Sequence, residues 1–171
     1  MDEKISTARV ALKYGILGAV VIMVYTTIIN ISGFSQNKIL SSLSFLFMII
    51  AIVLAMKNFR EQSKGFMSYG EGLGLGTLTS AVLGLLSSAF TMFYVQFIDD
   101  TLLAQALDKV REDMESRGKD DSEIEMAMEL SQKLMSPAIV FPASILVYVI
   151  TGFVISLVAA AIIRREKPVF E

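Results

Sequence analysis

Cysteine and histidine are both absent from the 171 residues. Without cysteine there is no disulfide framework, no thiolate nucleophile and no thiolate ligand for a metal or cluster. Without histidine, Ser-His-Asp and Cys-His catalysis and any imidazole proton relay are excluded. The nucleophiles that remain are serines, threonines and carboxylates with no histidine partner, so no enzyme activity, cofactor or metal site is expected. Proline occurs three times, and no proline- or serine-rich linker divides the chain. Net charge is only -2, a balance that points neither to nucleic acid nor to a strongly acidic partner.

What is abundant is apolar sequence. The hydrophobic set makes up 54% of the chain and the mean hydropathy is +0.61, above the roughly 45–50% apolar share of soluble domains. The reading is an all-α integral membrane protein, one domain over residues 1–171 with four spans. The first runs from Tyr14 to about Phe34, too long for a signal-peptide core and without an Ala-x-Ala site, which predicts a retained anchor. A polar turn, S-Q-N-K, precedes the second, over residues 39–56. The third, 72–98, holds neither charge nor proline; as helix it measures about 40 Å, more than a hydrocarbon core of about 30 Å requires. The fourth is expected over 141–163, with Pro142 kinking or delaying its start, and with Arg164, Arg165, Lys167 and Pro168 ending it.

Between Asp99 and Ser136 the composition inverts to eleven acids and five bases. Leu103, Leu107, Val110 and Met114 recur at helical spacing, as do Ile124, Ala127, Met128, Leu134 and Met135. Residues 99–136 are therefore predicted to form a water-facing acidic helical hairpin. Gly118 is placed to end its first helix, and Ser122 with Glu125 to cap its second. A solvated face is the plain expectation, since the acids lack the spacing of a calcium loop.

Four spans place both termini and the turn around residues 57–64 on one side. That side collects nine bases: Lys4, Arg9, Lys13, Lys57, Arg60, Lys64, Arg164, Arg165 and Lys167. The other has six, spread over far more sequence, so the positive-inside rule makes the first side cytoplasmic and the hairpin external. Tyr14 and Tyr69 would anchor the inner interface, Tyr94 and Tyr148 the outer half. If the source is bacterial, the hairpin then faces the periplasm.

Two features could carry a site. Ser68 and Glu71 form an S-x-x-E pair that reads as a capping box for the third helix, with a proton- or cation-binding role for Glu71 as the sharper alternative. Gly72, Gly76, Ser80, Gly84 and Ser88 recur at four-residue intervals, and Gly152, Ser156 and Ala160 make a shorter stripe in the fourth span. Such stripes let helix backbones approach closely; the partner is either another helix of the same chain or a second copy in a homodimer. G-E-G-L-G-L-G matches no nucleotide loop. No span holds a fully intramembrane charge, which counts against a pump or secondary transporter.

The stretch K-N-F-R-E-Q-S-K-G-F-M-S-Y-G-E-G-L-G-L-G, followed by a long apolar helix ending F-I-D-D, resembles domain-of-unknown-function family 4199, uncharacterised bacterial membrane proteins. The positions that carry the likeness are Phe59, Arg60, Gly65, Ser68, Tyr69, Gly70, Glu71 and Gly76. Asp100 stands where the family pattern has proline, which leaves open whether the third helix breaks before the hairpin. The resemblance implies a four-span inner-membrane protein and no assigned activity. The functional expectation is a non-enzymatic scaffold or accessory subunit, docking an unidentified partner through the acidic hairpin or through the basic turn of Lys57, Arg60 and Lys64. The alternative is a small transporter or channel formed by oligomerisation along the third helix.

Overall fold

The computed structural model describes residues 6–35 and 37–166. Six helices run in the order α1 Thr7–Ile31, α2 Lys38–Gln62, α3 Tyr69–Phe97, α4 Thr101–Ser116, α5 Asp121–Leu134 and α6 Pro137–Ile163. Among the described residues there is no strand, only a single antiparallel bridge between Met67 and Arg165. Helices α1, α2, α3 and α6 are each long and apolar enough to cross a membrane. The chain is an all-α membrane protein.

The helices outrun the apolar stretches, because lysine and arginine do not break a helix while caps and left-handed residues do. Helix α1 begins at Thr7, where the Ser6 side chain accepts from the backbone N–H of Arg9. It closes at Ile31 through a Schellman turn: Phe34 N–H donates to the Ile29 carbonyl and Gly33 N–H to that of Asn30, with Gly33 at φ +75°. Asn37 caps α2, accepting from the N–H groups of Ile39 and Leu40. Helix α2 then continues six residues past Met56, so Lys57 and Arg60 sit on helix rather than in a turn. Phe59, buried one turn beyond Ala55, carries the packed face through this charged stretch. The true turn is Ser63–Ser68, where Lys64 and Gly65 both take positive φ.

Helix α6 is not delayed by Pro142. It starts at Pro137, a first-turn position that needs no N–H donor, and carries Pro142 inside it. Lys167 and Pro168 lie outside the described residues. Helix α3 does break before the hairpin. The Asp99 carboxylate accepts from the N–H of Thr101 at 3.1 Å and from its hydroxyl at 2.6 Å, turning the chain between Phe97 and Thr101 without a proline.

Two compact units divide the described chain, and α3 and α6 contribute to both. One takes in residues up to Ser87 and from Ile145 onward; the other is Ser88–Ser144. The first has a core of Ala11, Ala19, Ile22, Met48, Ile52, Met56, Leu75, Leu83 and Ala160. Its outer surface is apolar: Leu17, Val24, Ile28, Ile50, Leu54, Val154 and Val158 are all strongly exposed. Contiguous apolar exterior of this kind suits hydrocarbon, not water.

In the second unit α4 and α5 form the helical hairpin. Helix α4 ends in another Schellman turn, with Lys119 N–H donating to the Met114 carbonyl and Gly118 N–H to that of Glu115. The cap of α5 lies two residues earlier than the expected Ser122. The Asp120 carboxylate accepts from Glu123 N–H at 2.7 Å, because α4 stops at Ser116 and the chain is already free to restart at Asp121. Tyr94 is buried within this unit, and Tyr148, half-buried, packs on Gly84 within the first.

Candidate functional site

Of the eight positions that carry the family likeness, all but Gly70 have a structural task, and together they join the α2–α3 turn to the end of α6. Phe59 is core. Arg60, one residue on, donates from Nη1 to the Ile163 carbonyl at 3.1 Å. That carbonyl ends α6, where the last turn lacks intrahelical donors and the helix dipole favours a cation. Gly65, at φ +86°, closes α2 by donating its N–H to the Arg60 carbonyl at 2.9 Å. Met67 and Arg165 then exchange both backbone hydrogen bonds, at 2.8 and 2.9 Å.

Ser68 and Glu71 start α3 from this joint. The Glu71 carboxylate accepts from the Ser68 N–H at 2.8 Å and from its hydroxyl at 2.9 Å, while Glu71 N–H donates back to the Ser68 hydroxyl at 3.3 Å. This is the reciprocal pattern of a capping box. Glu71 is exposed, and its carboxylate is already engaged by the cap. Tyr69 donates its hydroxyl to the Leu157 carbonyl at 3.5 Å, a second tie to α6. Gly70 has open space where a Cβ would stand, and nothing in the structure requires glycine there.

From the joint, the small-residue stripe of α3 runs along α6. Gly72, Gly76, Ser80, Gly84 and Ser88 are all buried within the single chain. A Cβ on Gly72 would stand 3.0 Å from Ala160 Cβ, and one on Gly76 would collide with the Ser156 hydroxyl. The arrangement inverts once, where Gly152 on α6 faces Ser80 on α3, and then reverts, with Gly84 of α3 lying under Tyr148 of α6. At each of these four positions a glycine on one helix receives a side chain from the other. Separately, within the second unit, Ser144 donates to the Ser88 hydroxyl at 2.8 Å. The stripe's partner is α6, so it is not left free for a second copy. Gly15 and Gly18 of α1 make comparable contacts with α3, against Val82 and Leu83.

The hydroxyls along this seam are turned to their own helices. Thr77, Thr79, Ser80 and Ser156 donate to the carbonyls of Leu73, Leu75, Thr77 and Gly152 at 2.6–2.8 Å. Bonding of this kind satisfies a hydroxyl without water. Among the described residues no three acidic side chains gather as a metal would need.

Sequence reasoning missed Ile163, Arg165, Ser144 and Tyr148 as members of the seam and joint. The four meet partners about sixty to a hundred residues away, and no local spacing announces such a contact.

Fold and site define a four-span helical membrane protein whose signature residues build an internal joint rather than an open pocket. The family described as "Protein of unknown function (DUF4199)" matches residues 13–165, and the chain belongs to that family. No curated protein and no solved structure matches it.

Proposed function

We propose that the chain is a non-enzymatic scaffold or accessory subunit of the bacterial inner membrane, with both termini cytoplasmic, and that it docks a protein partner through the acidic face of the α4–α5 hairpin. The observation that carries this reading is the division of labour among its charges. Arg60 is spent on the end of α6, which leaves the Lys57–Lys64 stretch a poorer docking surface. The hairpin acids Asp108, Glu112, Asp113, Glu115, Asp121 and Glu125 are all exposed. A basic surface on a partner is the complement they suit.

Locking of the seam hydroxyls onto their own helix carbonyls supports a non-enzymatic role. The reading of a channel assembled along the third helix loses its main support, since the stripe that would assemble it lies against α6.

The test is photo-crosslinking from Ser116 and Ser122, exposed positions among the hairpin acids, in native membranes, followed by mass spectrometry. A heterologous partner captured in stoichiometric amount, and lost in a Glu112→Lys/Glu125→Lys variant, is expected. Self-links alone would remove the docking reading.

A further inference from the structure

We infer that the hairpin does not stand free in water but rests on the bilayer, with the exposed edge of α5 formed by Met126, Leu130 and Leu134 set into the interfacial layer of the lipid. The inference starts from an imbalance in α5. At 100° per residue its apolar arc covers Met126, Leu130, Leu134, Ala127, Ser131, Ile124, Met135 and Met128 in turn, about half the helix circumference. The inward part of that arc is shielded: Ile124 is buried, and Ala127, Met128, Ser131 and Met135 are half-buried. The rest is open, with Met126 at 66%, Leu130 at 58% and Leu134 at 52% exposure. Helix α4 has no buried residue at all. The hairpin alone therefore has too little core to shelter its own apolar surface.

Lipid is the occupant the surroundings favour. The edge follows i, i+4, i+8 spacing towards the membrane and ends at Leu134. Only Met135 and Ser136 separate α5 from the spanning helix α6. Exposed apolar side chains continue on α6 itself at Ile139 and Val140, and on the last turn of α3 at Phe93 and Phe97. Those belong to helices whose exposed faces meet acyl chains, so the α5 edge extends a lipid-facing surface along the chain. Both ends of the hairpin are tied to spanning helices by two or three residues, which keeps its apolar edge within reach of the interface.

Charge placement agrees. Asp121, Glu125 and Glu129 project from the arc opposite the apolar one, as an amphipathic helix lying in an interface requires. Glu123 is the acid on the apolar side; it sits in the first turn, farthest from α6, and pairs with Lys119 at 3.0 Å. Lys133, in the last turn, pairs with Glu129 at 2.7 Å and so turns towards the acidic arc. A hairpin lying on lipid still presents its acids to water, so this contact does not depend on the docking reading.

The absence of cysteine makes the test direct. Single-cysteine variants Met126→Cys, Leu130→Cys and Leu134→Cys, with Glu125→Cys and Glu129→Cys as the opposite face, carry a nitroxide label in the full chain reconstituted into phosphatidylcholine vesicles. All five positions are exposed, so the fold tolerates them; circular dichroism checks that helix content is kept. Labels at 126, 130 and 134 are expected to collide several-fold more with oxygen, which partitions into lipid, than with a water-soluble nickel chelate. Labels at 125 and 129 are expected to show the reverse. Equal nickel access on both faces would overturn the inference, placing the edge in water. Labels at 126, 130 and 134 shielded from both reagents would also overturn it, because protein, a second copy or a partner, would then cover the edge. Self-links alone in the crosslinking experiment, with the lipid pattern intact, would sink the docking reading alone.

Discussion

The Arg60 guanidinium donates to the carbonyl of Ile163 at 3.1 Å, across 103 residues of sequence. It sits half-buried beside a second tie between the same two segments, the Met67–Arg165 bridge. A cation here satisfies an orphan acceptor and meets the negative end of the helix dipole. Arg60→Ala is expected to cost about 1.5–3 kcal/mol, the range of a hydrogen bond to a charged group. Arg60→Lys should recover part of it, since the charge remains and the reach differs. Thermal unfolding in detergent micelles, followed by circular dichroism, checks both. Equal stability of all three proteins would mean the contact is not a joint.

This contact marks where the sequence stops being readable. Ser68 and Glu71 announce themselves because both partners lie within one helical turn and their chemistry is reciprocal. The four-residue rhythm of Gly72, Gly76, Ser80, Gly84 and Ser88 is equally plain. Rhythm identifies a face and not its partner, and an internal neighbour and a second copy impose the same pattern. The charges from Lys57 to Lys64 misled for another reason: they suggest water and hence a turn, yet only Lys64 and Gly65 carry the backbone angles of one. In the hairpin, Asp120 with Glu123 and Ser122 with Glu125 offer the same spacing for a cap. The choice between them falls to the Schellman turn at Gly118, which ends α4 early enough for Asp120 to act.

The contact of Gly76 with Ser156 predicts a specific double-mutant result. A methyl group on Gly76 has no room, because it meets the Ser156 side chain and lies 2.8 Å from the Met56 methyl. Gly76→Ala is expected to destabilise the bundle by about 1–3 kcal/mol, the usual range for overpacking. Adding Ser156→Gly should give back part of the loss, with a coupling above about 0.5 kcal/mol. Gly74, two residues away, has nothing within 4 Å of the same added atom. Gly74→Ala should therefore be neutral or stabilising, by up to about 1 kcal/mol. Denaturant titration of these three variants and of Ser156→Gly alone in mixed micelles reads these differences; strict additivity would reject the close contact.

The cap of α5 is open to a simple substitution pair. Asp120→Ala removes the acceptor for the Glu123 N–H and should cost about 1 kcal/mol of local stability. Ser122→Ala, at the position the sequence alone suggests, should change little. Hydrogen exchange of the amides in the first turn of α5 separates the two, with faster exchange expected only for Asp120→Ala.

Membrane orientation rests on the distribution of basic residues, and the chain's lack of cysteine again supplies the measurement. Ser116→Cys places a thiol near the hairpin tip, and Gln62→Cys one at the end of α2; both positions are exposed. A membrane-impermeant maleimide should label Ser116→Cys in intact cells. Gln62→Cys should react only after the membrane is opened, because the positive-inside rule assigns the end of α2 that carries Lys57, Arg60 and Lys64 to the cytoplasmic side. The reverse pattern would invert the topology and put the acidic hairpin in the cytoplasm. Labelling of both thiols in intact cells would contradict an odd number of crossings between residues 62 and 116, and with it the assignment of α3 as a span.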